Sequence, residues 1–286
     1  MADQVGFGDR LAARVAVTSP LCVGVDPSAG LLRAWDLTDD AAGVEAMGRA
    51  VIEAVSGTAA AIKPQVAYFE RHGSAGYVAL ERVLAHARDA GMLVVGDAKR
   101  NDIDSTMDAY GDAWLSASSP LRVDALTVSA YLGLGAMQGV IDQATASGRG
   151  LFCVVASSNP EGRTLQESLT ASGRRVEEEL LFDLANRNAA EVDSMGRGIG
   201  SLGAVVGATR TAGTLDLAGL AGPFLVPGVG AQGATPKDVG ALFGDCATGS
   251  VLVNASRSIL AAGPTVSDVR AAAESLADEL RSALGG

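Results

Sequence analysis

Eight short apolar runs, rich in β-branched residues and each ending in a polar, charged or glycine residue, alternate with segments of helical spacing. This pattern predicts an α/β fold, a (β/α)8 TIM barrel. Two further observations support it. No low-complexity linker, charge block or composition break divides the chain, so residues 1–286 read as a single domain. Hydrophobic residues make up 48% of the chain and aromatic residues only 4%, so the core must be built from Val, Leu, Ile and Ala, as parallel strands under Ala-rich helices require. The competing topology is a doubly wound open sheet, but the first strand lacks the G-x-G-x-x-G turn of its dinucleotide-binding form.

Residues 8–16 have the spacing of a short amphipathic helix that closes the bottom of the fold. Leu21 to Val25 is the first strand; it ends at Asp26, and Pro27 stops any helix there. Asp39 to Ser56 repeats Val44, Met47, Val51, Ile52 and Val55 at a helical period. Thr58 to Ile62 is the second strand and leads to Lys63, which Pro64 keeps extended. Gly73 to Ala90 is helical, and the third strand starts at Leu93. A helix over Met107 to Ala117, a strand over Val123 to Val128 and a helix over Leu134 to Ser147 follow. Leu151 to Val155 is the fifth strand and ends at Ser157-Ser158-Asn159-Pro160. Residues 161–175 are polar and poorly periodic, which predicts a mobile loop over the strand ends, a candidate lid. A long helix spans Val176 to Ser194. The remaining strands are Gly203 to Gly207, Phe224 to Val226 and Ser250 to Asn254, and an Ala-rich helix covers Val266 to Leu284.

A net charge of −11 argues against a general nucleic-acid surface, which needs a basic stripe to displace counterions. An anionic ligand must therefore be held by local groups. Cys22, Cys153 and Cys246 are odd in number and lie apart in apolar runs, as buried thiols of a reducing compartment do. His72 and His86 are the only histidines and lack a metal-ligand spacing, so neither a zinc site nor a Ser-His-Asp triad is expected. A carboxylate-bound magnesium stays open. Met1 to Arg10 shows no basic region followed by an apolar core, and no uncharged apolar run reaches about 18 residues. A cytoplasmic protein without a membrane partner is expected.

The chemistry concentrates in Leu93-Val-Val-Gly-Asp97-Ala-Lys99-Arg-Asn-Asp102-Ile-Asp-Ser-Thr106. Alternation along a strand puts Asp97 and Lys99 on one face, and Asp102, three residues further on, falls in the turn or first helical turn, from which it can reach back toward the same ammonium. A lysine between two carboxylates stays protonated even when desolvated. Taken alone, Asp97 and Lys99 read better as a solvated loop pair and Asp102 or Asp104 as a helix cap, while Lys63 fits a snorkelling strand-edge lysine as well as a functional one. The other strand ends reverse that. Pro227-Gly-Val-Gly-Ala-Gln232-Gly233 follows strand seven and Asn254-Ala-Ser-Arg257-Ser258 follows strand eight, the two places where such barrels bind phosphate. Arg257 in isolation also fits a surface ion pair, but its planar fork beside a glycine-rich turn favours an anion.

Together these blocks resemble the orotidine 5'-phosphate decarboxylase family, in particular the group with the signature Asp-Ala-Lys-Arg-x-Asp-Ile-x-Ser-Thr. The resemblance covers Leu21-Cys-Val-Gly-Val-Asp26, Ala61-Ile-Lys63-Pro, Asp97 to Thr106, Ser157-Ser158-Asn159-Pro160, Pro227 to Gln232 and Ser256-Arg257-Ser258, in the family's order. It implies a cofactor-free carboxy-lyase that makes uridine 5'-monophosphate from orotidine 5'-monophosphate in pyrimidine biosynthesis. It further implies that Lys63, Asp97, Lys99 and Asp102 form an alternating charged network around the reacting carbon. Asp26 and Lys63 would hold the ribose hydroxyls, Ser158 the pyrimidine, and Gln232 with Arg257 the phosphate. Asp102, Ile103 and Thr106 would enter the neighbouring subunit's site, making a homodimer with shared sites. One departure is Asn101, where many relatives carry glycine; asparagine tolerates left-handed backbone better than most residues. The rival readings are a related barrel lyase or epimerase acting on sugar phosphates through magnesium, and a non-catalytic nucleotide-binding barrel.

Overall fold

Parallel strands cannot be joined by hairpins, so each must be followed by a crossover, and a helix is the usual one. The computed structural model describes residues 5–285, and the reading of the amino terminus falls partly on residues 1–4, outside them. Its strands are β1 (Leu21–Val25), β2 (Ala61–Pro64), β3 (Leu93–Arg100), β4 (Ala125–Val128), β5 (Gly150–Ala156), β6 (Leu202–Val206), β7 (Phe224–Pro227) and β8 (Val251–Ala255). They form a closed barrel in sequence order, all parallel, with β1 pairing both β2 and β8. The main helices around it are Ala41–Val55, Gly73–Asp89, Asp104–Leu115, Gln138–Ala146, Val176–Met195, Pro236–Phe243 and Val266–Ala283.

Strand alternation divides the apolar residues into two cores. The outward-facing set packs against the helices as one continuous cluster. The inward-facing set, Cys22, Ala61, Val95, Ala125, Phe152, Leu225 and Leu252, fills the barrel together with Phe7 and Leu11. Phe7 comes from the helix Phe7–Val17 and meets Phe152 edge-on, with ring centroids 5.7 Å apart. A Cβ at Gly150 would lie 2.3 Å from the Phe7 ring, so only glycine lets this plug seat. The amino end of the barrel is thereby closed and the carboxyl end left open.

Two of the seams are irregular. Between β3 and β4, Gly96 faces Leu126 but Arg100 faces Val128, and between β5 and β6 the register shifts after Val154. Such bulges re-aim side chains, here at the barrel's mouth.

Several boundaries differ from expectation. β2 starts at Ala61 because Thr58 still belongs to the turn ending the previous helix, with its carbonyl accepting from Ser19 Oγ at 2.6 Å. Pro27 does not stop a helix: Ser28 caps Ala29–Ala34 directly after it, accepting from the Leu31 N–H. The helix Pro236–Phe243 was not anticipated, since eight residues carry little periodicity; its start is set by a Thr235/Asp238 capping box. Residues 161–175 are not wholly irregular, because they contain the short helix Arg163–Gln166 and a bridge between Leu169 and Arg175. Cys22 and Cys153 are buried as expected, but Cys246 is only partly so. Among the described residues, no helix is long and apolar enough to cross a membrane.

Phe7→Ala is expected to cost about 3–5 kcal/mol of stability in equilibrium denaturation, by emptying the floor of the barrel. An unchanged midpoint would mean that the plug supports nothing.

Candidate active site

At the mouth of the barrel, neighbouring strands bring two lysines to one carboxylate. Lys63 Nζ from β2 lies 2.6 Å from Asp97 Oδ2, and Lys99 Nζ lies 2.5 Å from Asp97 Oδ1. Two neutral donors complete the set: Gln65 Nε2 donates to Oδ2 at 3.0 Å and the Thr127 hydroxyl to Oδ1 at 3.0 Å. Asp97 and Lys63 are only 6% and 5% exposed, whereas about half of the Lys99 side chain, 52%, is open. Asp26, Gln65, Tyr68, Asp97 and Lys99 line a cleft of about 530 Å³.

Burial alone would push the Asp97 carboxyl up, but Lys63 and then Lys99 outweigh it and hold the group well below the usual carboxylate range. Burial likewise pushes the Lys63 ammonium down, and Asp97 followed by Asp26 more than offsets this, so its pKa is raised. The Asp97 contribution to stability is present above the unfolded carboxyl pKa near ~3.9 and is lost as pH falls through the lower folded value. The Lys63 contribution is present below about 10.4 and is lost as pH rises through the higher folded value. Between those limits both groups stay charged.

Lys99 reaches Asp97 from an unusual backbone. Its φ is 47°, in the left-handed region, within the bulge, and its N–H donates to Thr127 Oγ1 at 2.9 Å. Arg100 then returns to the ladder. Its guanidinium donates to Glu70 Oε1 at 2.7 Å and lies over the rings of Tyr110 and Trp114, so the residue after Lys99 is firmly anchored.

Asp102 lies in the turn after β3, where its spacing puts it, but its side chain takes another direction. Its carboxylate accepts from the Ile103 N–H at 2.9 Å and, among the described residues, makes no ion pair, so it does not reach back to Lys99 of its own chain. β3 runs on through Arg100, and the chain then turns into the helix beginning at Asp104. Neither Asp102 nor Asp104 caps that helix, whose N-cap is Ile103. Ile103 and Thr106 face solvent beside this turn. Left-handed backbone falls on Lys99 and Asp104, not on Asn101.

Asp26, at the end of β1, keeps one buried carboxylate oxygen without a protein partner, a position that a hydroxyl-bearing ligand would satisfy. Ser158, after β5, packs so closely on β6 that a Cβ at Gly207 would lie 3.0 Å from its own Cβ. After β7, Gly228, Gly230 and Gly233 all have positive φ, and the turn closes through Gly230 N–H to the Ala234 carbonyl at 2.9 Å. A Cβ on Gly230 would lie 3.1 Å from Ser258 Oγ, so the turns after β7 and β8 touch. Gln232 and Arg257 stand exposed on these two turns. Arg257 opens the short helix Arg257–Leu260 and, among the described residues, forms no ion pair, which removes the surface-pair reading.

The structure thus groups Asp97, Lys99 and Asp26 at one cleft, with the buried Lys63 paired to Asp97, and sets Gln232 and Arg257 on adjoining turns, with Ser158 following β5. Sequence reasoning missed Gln65 and Thr127. The signal for Thr127 was a lone hydroxyl at the carboxyl end of the apolar run Ala125-Leu-Thr-Val128.

The model of the orotidine 5'-phosphate decarboxylase / HUMPS family matches residues 19–272. The chain belongs to this family. It is 48% identical over 279 residues to an orotidine 5'-phosphate decarboxylase of Streptomyces coelicolor, covering 97% of this chain and 98% of that one. It superimposes on a crystal structure assigned to the same enzyme of Streptomyces avermitilis with a TM-score of 0.92 and 47% identity, over 99% and 97% of the two chains. The OMP decarboxylase of Leishmania donovani is similar at 29% identity and a TM-score of 0.76, over 99% of this chain and 100% of that one. Like these family members, the chain is a (β/α)8 barrel, and the blocks that carry the resemblance all lie at the carboxyl ends of its strands.

Asp97→Asn is expected to destabilise the protein by about 3–5 kcal/mol, because it strands the buried Lys63 ammonium. Adding Lys63→Met should recover part of that loss. Strictly additive losses in denaturant titrations would show that the two groups are not coupled.

Proposed function

We propose that this chain converts orotidine 5'-monophosphate to uridine 5'-monophosphate and carbon dioxide, a step of pyrimidine biosynthesis, without a cofactor. The observation that carries the reading is the half-open ammonium of Lys99, held 2.5 Å from an ionised, buried carboxylate in a chain of this family. Loss of carbon dioxide leaves an electron pair on a pyrimidine carbon with no conventional sink. The Lys99 ammonium supplies positive charge beside that carbon and then the proton that forms the new C–H bond. Lys99 is left neutral and regains its proton from solvent. Asp97, held ionised, does not compete for that proton.

Asp97 also crowds the substrate carboxylate. Two unit charges about 4 Å apart repel by roughly 4 kcal/mol at an effective dielectric near 20. Enzymatic acceleration typically requires about 8 to 23 kcal/mol, so repulsion is a minor share. The larger share comes from interactions that strengthen as the carbanion forms, with phosphate binding used to position the nucleotide.

In this reading Asp26 and Lys63 take the ribose hydroxyls, Ser158 the pyrimidine, and Gln232 with Arg257 the phosphate. The unpartnered Asp26 oxygen and the exposed Arg257, without an ion pair among the described residues, support those roles. Residues 161–175 act as a lid, tied to the rim by Gln166 on Ser157 and by Glu167 on Arg210. The active species is a cytoplasmic homodimer, with no nucleic-acid or membrane partner, in which Asp102, Ile103 and Thr106 cross into the neighbouring site. The solvent-facing Ile103 and the absence, among the described residues, of an ion pair at Asp102 support that crossing.

Turnover is read from loss of the orotate chromophore. Lys99→Ala should lower it by roughly 10³-fold or more while leaving uridine 5'-monophosphate binding measurable, and near-normal turnover would refute the assigned role. Random mixed dimers of Lys99→Ala and Asp102→Ala should recover roughly a quarter of the unaltered activity, since half are heterodimers with one intact site of two. Stable mixed dimers without activity would place each site within one chain.

A further inference from the structure

The bulge in β3 raises a question of satisfaction. Gly96 faces Leu126 and Arg100 faces Val128, so Asp97, Ala98 and Lys99 together span what Thr127 alone spans on β4. The surplus residues have no ladder partner on β4, yet Lys99 must sit still, in a conformation that side chains rarely adopt. Thr127 is 1% exposed and its hydroxyl lies at the centre of this gap. Its oxygen accepts the Lys99 N–H at 2.9 Å. Its single proton has two acceptors in reach, Asp97 Oδ1 at 3.0 Å and the Gly96 carbonyl at 3.4 Å, and the nearer, charged one takes it. That same Oδ1 binds the Lys99 ammonium.

We propose that Thr127 is a positioning residue that fixes Lys99 at both ends, holding its backbone N–H directly and its ammonium through Asp97. The inference rests on the reading of Lys99 as the proton donor. Thr127 itself does not touch the reacting carbon; it acts through the two residues it holds. A β-branched residue suits this role because its rotamer is stiff, so the hydroxyl keeps its direction. Displacing a reacting group by about 1 Å costs up to roughly 10²-fold in rate, which sets the scale of the expected effect.

The test compares Thr127→Val, which keeps the shape and removes the hydroxyl, with Thr127→Ser, which keeps the hydroxyl. Steady-state kinetics with orotidine 5'-monophosphate, calorimetry with uridine 5'-monophosphate, and thermal melts are measured on both and on Lys99→Ala. Thr127→Val is expected to lose about 10- to 100-fold in kcat with little change in KM or in product affinity, and Thr127→Ser to retain most of the activity. Unaltered kcat in Thr127→Val, or equal losses in the two variants, overturns the proposal. Should Thr127→Val fail to fold, Thr127→Cys takes its place, a weak donor of similar size to serine; equal turnover in the cysteine and serine variants is then the overturning result. Normal turnover in Lys99→Ala defeats the parent reading instead. An inactive Lys99→Ala beside a fully active Thr127→Val defeats this inference alone.

Discussion

Everything at the mouth of the barrel depends on one carboxylate receiving four donors. Asp97 accepts two ammonium groups, an amide and a hydroxyl, drawn from β2, the residue just beyond it, β3 and β4. A buried charge is tolerated only when paired and hydrogen-bonded, and here each oxygen has one ionic and one neutral partner. The result is an anion that stays an anion. Asp26 lies at the same cleft, so the two cations there face two carboxylates, and in a chain whose net charge is −11 an anionic nucleotide must be held by local groups rather than by the surface as a whole.

The two lysines differ because their strands do. Lys63 sits within the regular ladder of β1 and β2 and is sealed, while Lys99 lies in a bulge and keeps half its side chain open. A sealed ammonium organises charge; an open one can exchange a proton with substrate and solvent. The same irregularity that frees Lys99 leaves its backbone needing a partner outside the ladder, and Arg100, clamped by Glu70 and two aromatic rings, limits how far the strand end can move.

The elements that position these groups were legible where period and length made them so. Apolar runs and long amphipathic segments marked all eight strands and the main helices other than Pro236–Phe243, because burial on one or both faces imposes a pattern. Short elements were not legible: Ala29–Ala34 and Pro236–Phe243 are set by the caps at Ser28 and Thr235 rather than by a period. At the site, Lys63, Asp97 and Lys99 stood out as charges ending apolar runs. Gln65 and Thr127 did not, since a neutral polar residue at a strand end is common and its partner lies on another strand. Asp102 was legible as a turn residue, but the direction of its side chain was not, because in a turn that direction depends on the local backbone rather than on a period.

The sequence by itself determined the fold class, the charged and glycine-rich blocks at the strand ends and the family, because hydrophobic period and short charged blocks are properties of local order. Only the tertiary structure decided that Lys63 and Lys99 share one carboxylate, that Thr127 spans the bulge, and that the turns after β7 and β8 touch. Those facts depend on register between strands and on the closure of the barrel, which bring together residues about 30 apart in the chain, such as Lys63, Asp97 and Thr127.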